Sequence, residues 1–425
     1  MWRSPGFATK LTINPHAVDK RARLAHLSPV IDPDLPPASR SDRIIHIGAP
    51  KCGSTALQSS FFQNRETLRR HDVTYIGERS HWISAAKAVA GVPDRISGAT
   101  PPMSEWARLL AQVRSVTSGT ALISSEWYAA APDDRVRRIV ADLDAQRLHA
   151  ILVIRPLTST LPSAWQQGLK LGGRQTLSEW LQTILTAADD PRSLRVWSKH
   201  RYDRIAQRWA AALGRERLTV VVADEQDPGF IFTAFGEILG LPSGALSAPP
   251  KRTNPSLSAF EADVLAELNK LYFDQGGTLE TYRSGVLRTF DGYVNSVRSG
   301  SHERSAIPAT ELPAINELNA AIASGIRAIG CRVLGSLEEY ASPRAGSGAS
   351  SPVPEEWAAQ RSTDVKSAAG MLYSLMITTG IAVPATPLAG FGRRRDLLYY
   401  QVRSLARRRT PANAARRTRR ASERA

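Results

Sequence analysis

Five short apolar runs set the framework of the chain up to residue 225: "RIIHIG" (43–48), "VTYIG" (73–77), "TALISSE" (120–126), "HAILVIR" (149–155) and "LTVVVADE" (218–225). Most are β-branched and nearly continuous, without the apolar–polar alternation of a half-exposed strand. Strands buried on both faces read this way. Helical spacing between them predicts helices over Ser104–Val116, Asp133–Gln146 and Ser198–Leu213. Strand alternating with helix predicts an α/β fold, a parallel sheet flanked by helices on both sides.

The rest of the 425 residues divides by composition. Residues 1–41 read as a lead-in without the apolar core of a secretory signal. Residues 42–250 form the α/β core, and 251–340 its helical continuation. That continuation opens on Ser258 with Glu261 three positions later, the pattern of a capping box. Residues 341–365 are rich in Ser, Gly and Pro and read as a linker. Residues 366–392 hold no charge after Lys366, and 393–425 hold 12 arginines against Asp396 and Glu423. That tail carries ten of the net +16, so the basic isoelectric point says little about the folded body. It has no aromatic residue after Tyr400, which argues against stacking on bases and so against a specific nucleic-acid partner. The uncharged segment reads first as a buried or disordered tail; with Arg393–Arg395 beside it, contact with an anionic membrane surface is the alternative, and Pro384 and Pro387 disfavour a straight span. Two cysteines, Cys52 and Cys331, give neither a disulfide framework nor a metal pattern. They point to a reducing compartment, so the expected location is cytoplasmic, at most peripheral at the inner membrane face.

The turn after the first strand carries the chemistry. In "HIGAPKCGSTALQ", Gly48 and Gly53 permit a tight turn, Lys51 adds a positive charge, and Ser54 and Thr55 add hydroxyls. A helix begins there, and amides at a helix N-terminus bind oxyanions. The ATP-binding loop G-x-x-x-x-G-K-[ST] places lysine after the second glycine. Here Lys51 precedes Gly53, which displaces the charge and argues against an ATP site.

This loop resembles the 5′-phosphosulfate loop of sulfotransferases that use 3′-phosphoadenosine-5′-phosphosulfate (PAPS). In that family a later strand is followed by an Arg and, eight residues on, a Ser that together hold the 3′-phosphate. "ILVIRPLTSTLPSAWQQGLKLG" supplies Arg155 and Ser163 at that spacing, with Ser163 expected near a helix start. "RTNPSLS" (252–258) resembles a further element of the same chains. The resemblance covers roughly residues 42 to 275, judged by motif order. It implies a three-layer, P-loop-like sheet, PAPS as donor, no metal, and transfer of a sulfuryl group to a hydroxyl of a small molecule or glycan. Lys51, Cys52, Gly53, Ser54, Thr55, Arg155 and Ser163 would bind the donor. Ala56 stands where cytosolic members often carry an aromatic that stacks on adenine.

Transfer to a hydroxyl needs a base. Glu126, at the carboxyl end of "TALISSE", stands where open α/β sheets place their sites. His71 and His81 are rivals for that role. Lys51 is expected to meet charge developing on the leaving phosphate. Trp165, Lys170 and Arg174 are candidate acceptor contacts, with Trp165 equally suited to the core. Asp224 and Glu225 end a strand much as a magnesium-binding strand of a nucleotide kinase or NTPase would, which is the rival enzyme class. A non-enzymatic protein held to anionic surfaces by its tail is the third.

Overall fold

The computed structural model describes residues 42–77, 82–94, 98–187, 190–248, 256–287, 290, 304–342 and 355–378. The lead-in, His81, Asn254 of "RTNPSLS" and the Arg-rich tail lie outside them. In chain order the elements are β1 (Arg43–Gly48), α1 (Ser54–Gln63), α2 (Arg65–Arg70), β2 (Val73–Tyr75), α3 (Ile83–Ala90), α4 (Met103–Ser115) and β3 (Thr120–Ser124). A 3₁₀ turn (Glu126–Ala130) leads to α5 (Asp133–Asp142), β4 (Leu148–Ile154), α6 (Leu157–Leu169), α7 (Leu177–Thr186), α8 (Pro191–His200) and α9 (Tyr202–Leu213). Then follow β5 (Leu218–Val222), α10 (Phe230–Ile238), α11 (Ala259–Asp274), α12 (Leu312–Ile329), β6 (Arg332–Leu334), α13 (Leu337–Ala341) and α14 (Glu355–Thr378).

The described strands form one sheet in the order β2-β3-β1-β4-β5-β6, with every neighbouring pair parallel. The expected α/β class therefore stands. Every residue of β4 and β5 is buried, and all of β1 after Arg43. Burying an Ile, Leu or Val side chain stabilises by about 1.5–3 kcal/mol, so these strands anchor the core. The chain leaves β1 toward β3 and returns on its other flank as β4. Ligands of open α/β sheets bind at such a reversal, beyond the carboxyl ends of the strands.

The chain divides into two compact units. The first takes Met1–Pro156, Trp197–Pro249 and Leu318–Ser342, and holds the sheet. The second takes Leu157–Val196, Pro250–Glu317 and the chain from Pro343 on. In it α11 begins at Ser258 with the expected capping box: Ser258 Oγ accepts from Glu261 N at 3.1 Å, and Ser258 N donates to Glu261 Oε2 at 2.7 Å. Its apolar cluster joins Val264, Leu268 and Tyr272 of α11 to Val365, Ala369, Tyr373 and Met376 of α14.

Several elements depart from the sequence reading. The helix expected over Ser198–Leu213 breaks at Arg201, whose guanidinium binds both oxygens of Asp203 at 3.0 and 2.6 Å and holds a non-helical turn. The helix from Asp133 stops at Asp142, because Asp144 turns at φ 62 and accepts from Gln146 N at 3.2 Å. The stretch 251–340, expected to be helical, includes strand β6, whose three residues are too few for a period to register. Helix α14 runs from Glu355 through the end of the expected linker and into the uncharged stretch, because one face of that stretch has an apolar partner in α11. Ser163 lies inside α6, six residues past its first residue and one past Pro162, not at the helix start. Among the described residues no helix is long and apolar enough to cross a membrane.

Candidate functional site

The anion loop spans the carboxyl end of β1 and the start of α1. Three of its residues adopt left-handed backbone: Gly48 at φ 106, Lys51 at φ 66 and Gly53 at φ 95. At Gly48 the need for glycine is geometric. A Cβ there would sit 2.9 Å from Glu126 Cα, so the missing side chain lets the loop and the candidate base approach each other. Lys51 is the anomaly, since a long side chain rarely takes positive φ without a compensating role.

Gly53 is the N-cap of α1, and the first intrahelical bond runs from Leu57 N to Gly53 O at 3.1 Å. The N–H groups of Gly53, Ser54, Thr55 and Ala56 therefore have no acceptor within the helix. Cys52 and Ser54 serve the turn itself. Cys52 N points to Ala49 O at 3.4 Å, and Ser54 Oγ donates to the same carbonyl at 3.2 Å. The Cys52 side chain is fully buried, its thiol reaching toward Tyr202 Oη at 3.7 Å. Burial pushes that thiol up to about 12, so it stays protonated. Thr55 is exposed and Lys51 half-buried.

Arg155 joins this loop. Ala49 N donates to Val153 O at 2.7 Å, which ties the loop to the end of β4. The backbone and the charge of Arg155 lie close enough to Cys52 to favour its thiolate, though burial outweighs them. Arg155 Nε donates to Glu225 Oε1 at 2.9 Å. Glu225 follows β5, the next strand along. Asp224 accepts from Gln226 N at 2.7 Å in a local turn. Both acids expected at this strand end are thus occupied, one by the arginine and one by its own backbone.

Glu126 occupies the matching position after β3. Ser125 is the N-cap of its turn, its Oγ accepting from Trp127 N at 3.4 Å, and Arg208 Nη2 closes the other end on Ala129 O at 3.0 Å. Glu126 is therefore not the cap. Gln58 of α1, 1% exposed, directs Nε2 to Glu126 Oε2 at 3.4 Å, so the helix that bears the anion loop also touches the carboxylate. Beside it the Trp127 ring is approached by Lys87 Nζ at 4.7 Å and Lys199 Nζ at 5.0 Å. Lys87 is buried and paired with Asp94 at 3.0 Å.

Two described histidines fall elsewhere. His71 is exposed just before β2, at the amino edge of a parallel sheet whose site lies at the carboxyl edge. His46, which the sequence did not single out, is buried in β1 with Nδ1 2.7 Å from Ser124 Oγ. Desolvation lowers it to about 3, so it stays neutral.

Ser163 belongs to the second unit, as do the candidate acceptor contacts Trp165, Lys170 and Arg174. Trp165 is 3% exposed with Nε1 donating to Gln175 O at 2.9 Å, which makes it core. Arg174 pairs with Asp274 at 3.1 Å, lies over the Phe273 ring at 4.9 Å, and lines a cavity of ≈ 620 Å³ with Gln175, Glu179, Gln182 and Lys270. Glu225 and Gln58 are the site partners that sequence reasoning missed. Gln58 lies one helical turn beyond Ser54, and Glu225 stands in the sequence as a strand-end acid whose pairing with Arg155 does not show there.

No protein-family model matches the chain, and no curated protein matches it. Among solved structures the chain is similar to a crystal structure of a sulfotransferase from Alicyclobacillus acidocaldarius, at 16% identity and a TM-score of 0.36, over 51% of this chain and 87% of that one. A likeness at that level carries no argument about this chain.

Proposed function

We propose that the protein transfers a sulfuryl group from PAPS to a hydroxyl acceptor, a carbohydrate or glycolipid. The observation that carries this reading is a convergence within one unit. The glycine loop after β1, Glu126 after β3 and Arg155 after β4 end on neighbouring parallel strands, with Gly48 against Glu126 and Arg155 against Cys52. Two cations, a helix N-terminus and one carboxylate suit a doubly phosphorylated nucleotide and a proton-bearing acceptor. The loop's resemblance to the PAPS loop selects that nucleotide among others.

PAPS supplies, when bound, a sulfuryl group already joined to a phosphate leaving group. The chain's own residues would do the rest. The first-turn amides of α1 and Lys51 hold the 5′ end and offset charge on the departing phosphate oxygen. Arg155 holds the 3′-phosphate and must share itself with Glu225 to do so. Glu126 takes the proton of the acceptor hydroxyl as the new sulfur–oxygen bond forms and the old one breaks. We place the acceptor on the Trp127 side of Glu126, the indole following the carboxylate at once in the same turn. We place the reaction in the cytoplasm, where the free cysteines Cys52 and Cys331 stay reduced.

The test is incubation of purified protein with radiosulfate-labelled PAPS and a panel of neutral and anionic glycans. Label is expected in a glycan, without added magnesium. Absence of transfer together with magnesium-dependent ATP turnover would assign the chain to the nucleotide kinases and NTPases instead.

A further inference from the structure

Helix α14 is apolar on two sides. Its inner stripe, Val365, Ala369, Tyr373 and Met376, packs on α11. The two helices run in the same direction, with Arg361 Nη2 bonded to Asp263 at 3.1 Å near their starts and Tyr373 near Tyr272 at their ends. On the flank of α14 that runs out from this stripe, Met371, Leu372 and Leu375 are 69%, 37% and 59% exposed. Residues 371 and 375 are one turn apart, so these three make a continuous apolar patch on the last turns of the helix. Scattered surface hydrophobes need no explanation, but such a patch at a helix end does.

The sequence beyond indicates what covers it. Residues 379–392 carry no charge, Arg393, Arg394 and Arg395 follow at once, and 393–425 carry 12 arginines against two acids. Apolar side chains next to clustered arginines match the two attractions of an anionic bilayer surface: a hydrocarbon boundary for the patch and headgroup phosphates for the guanidinium groups. A second copy of the chain fits less well, because three side chains fall far short of the roughly 800 Å² per partner of a stable protein interface.

We propose that the C-terminal end of α14 docks the protein on an anionic membrane surface, with Met371, Leu372 and Leu375 entering the interface and the arginines holding the headgroups. The attachment is peripheral and weakens with salt, since the arginine contribution is screened.

Flotation of the full chain with vesicles tests this. The protein should float with equimolar phosphatidylcholine and phosphatidylglycerol, not with phosphatidylcholine alone, and should be released by high salt. The double variant Met371→Asn with Leu375→Asn keeps the charge and alters only exposed positions. It should bind anionic vesicles about tenfold less or weaker, with an unchanged Tm as the control for folding. Deletion of 393–425 should weaken binding separately. Equal flotation of the double variant and the parent would overturn the proposal, as would no flotation of the parent. A dimer seen by light scattering without lipid, and lost in the double variant, would overturn it in favour of a second copy.

Discussion

At the scale of the residue, the loop separates backbone need from chemical need. Lys51 sits at φ 66, where a side chain costs roughly 1 kcal/mol and glycine costs nothing comparable. Lys51→Gly should therefore leave the protein at least as stable as the parent while cutting turnover by about 10²-fold or more. Lys51→Ala should lose the same activity without the gain in stability. Urea denaturation beside initial rates checks both, and full activity in Lys51→Gly would remove the lysine from the mechanism. Gly48 is the opposite case. Gly48→Ala combines φ 106 with a Cβ 2.9 Å from Glu126 Cα, so it should destabilise by about 1–3 kcal/mol and displace the base as well. The loop was legible because glycine, lysine and serine at fixed spacing carry their geometry with them. Glu225 as the partner of Arg155 was not, since 70 residues separate them and only the pairing of β4 with β5 unites the two strand ends.

At the scale of the element, the buried strands were readable and their polar contents were not. "HAILVIR" and "LTVVVADE" announce themselves as parallel strands by continuous apolarity. The same continuity hides His46 in β1 and His149 in β4. Burial lowers His46 to about 3 and His149, also repelled by nearby arginines, to about 4, against 6.5 for an ordinary histidine. Both are depressed on folding, so the unfolded chain binds protons that the native chain refuses. Their contribution to stability is fully present above about pH 6.5 and is lost as pH falls toward 3 to 4. Between about pH 7.5 and 4.5 each should cost on the order of 2 kcal/mol. Chemical denaturation at the two pH values checks this: His46→Asn should flatten the dependence, and an unchanged slope would mean that His46 is charged in the fold. The short strand β6 and the break at Arg201 were beyond periodicity, because each is decided by a tertiary or ion-pair partner.

At the scale of the whole molecule, charge and chemistry are separately placed. Ten of the net +16 charges lie in 393–425, and the proposed catalytic groups lie in the unit that carries the sheet. Deleting 393–425 should therefore leave turnover on a dissolved acceptor within about twofold of the parent, since none of the proposed donor-binding or catalytic groups lies in that stretch. Loss of activity would make the tail part of the site. The sequence delivered the parallel sheet and the loop that opens its site. It did not deliver the division into two units, because that division alternates along the chain and follows no composition boundary.

In the proposed reaction the loop and Arg155 hold one doubly phosphorylated adenosine. Isothermal titration with adenosine 3′,5′-diphosphate, parent against Arg155→Ala, tests it most directly. The parent should bind without metal, and the variant should lose about tenfold to a hundredfold in affinity, as expected when a charge-assisted phosphate contact is removed. Equal affinity in the two proteins, or a preference of the parent for ATP with magnesium, would contradict it.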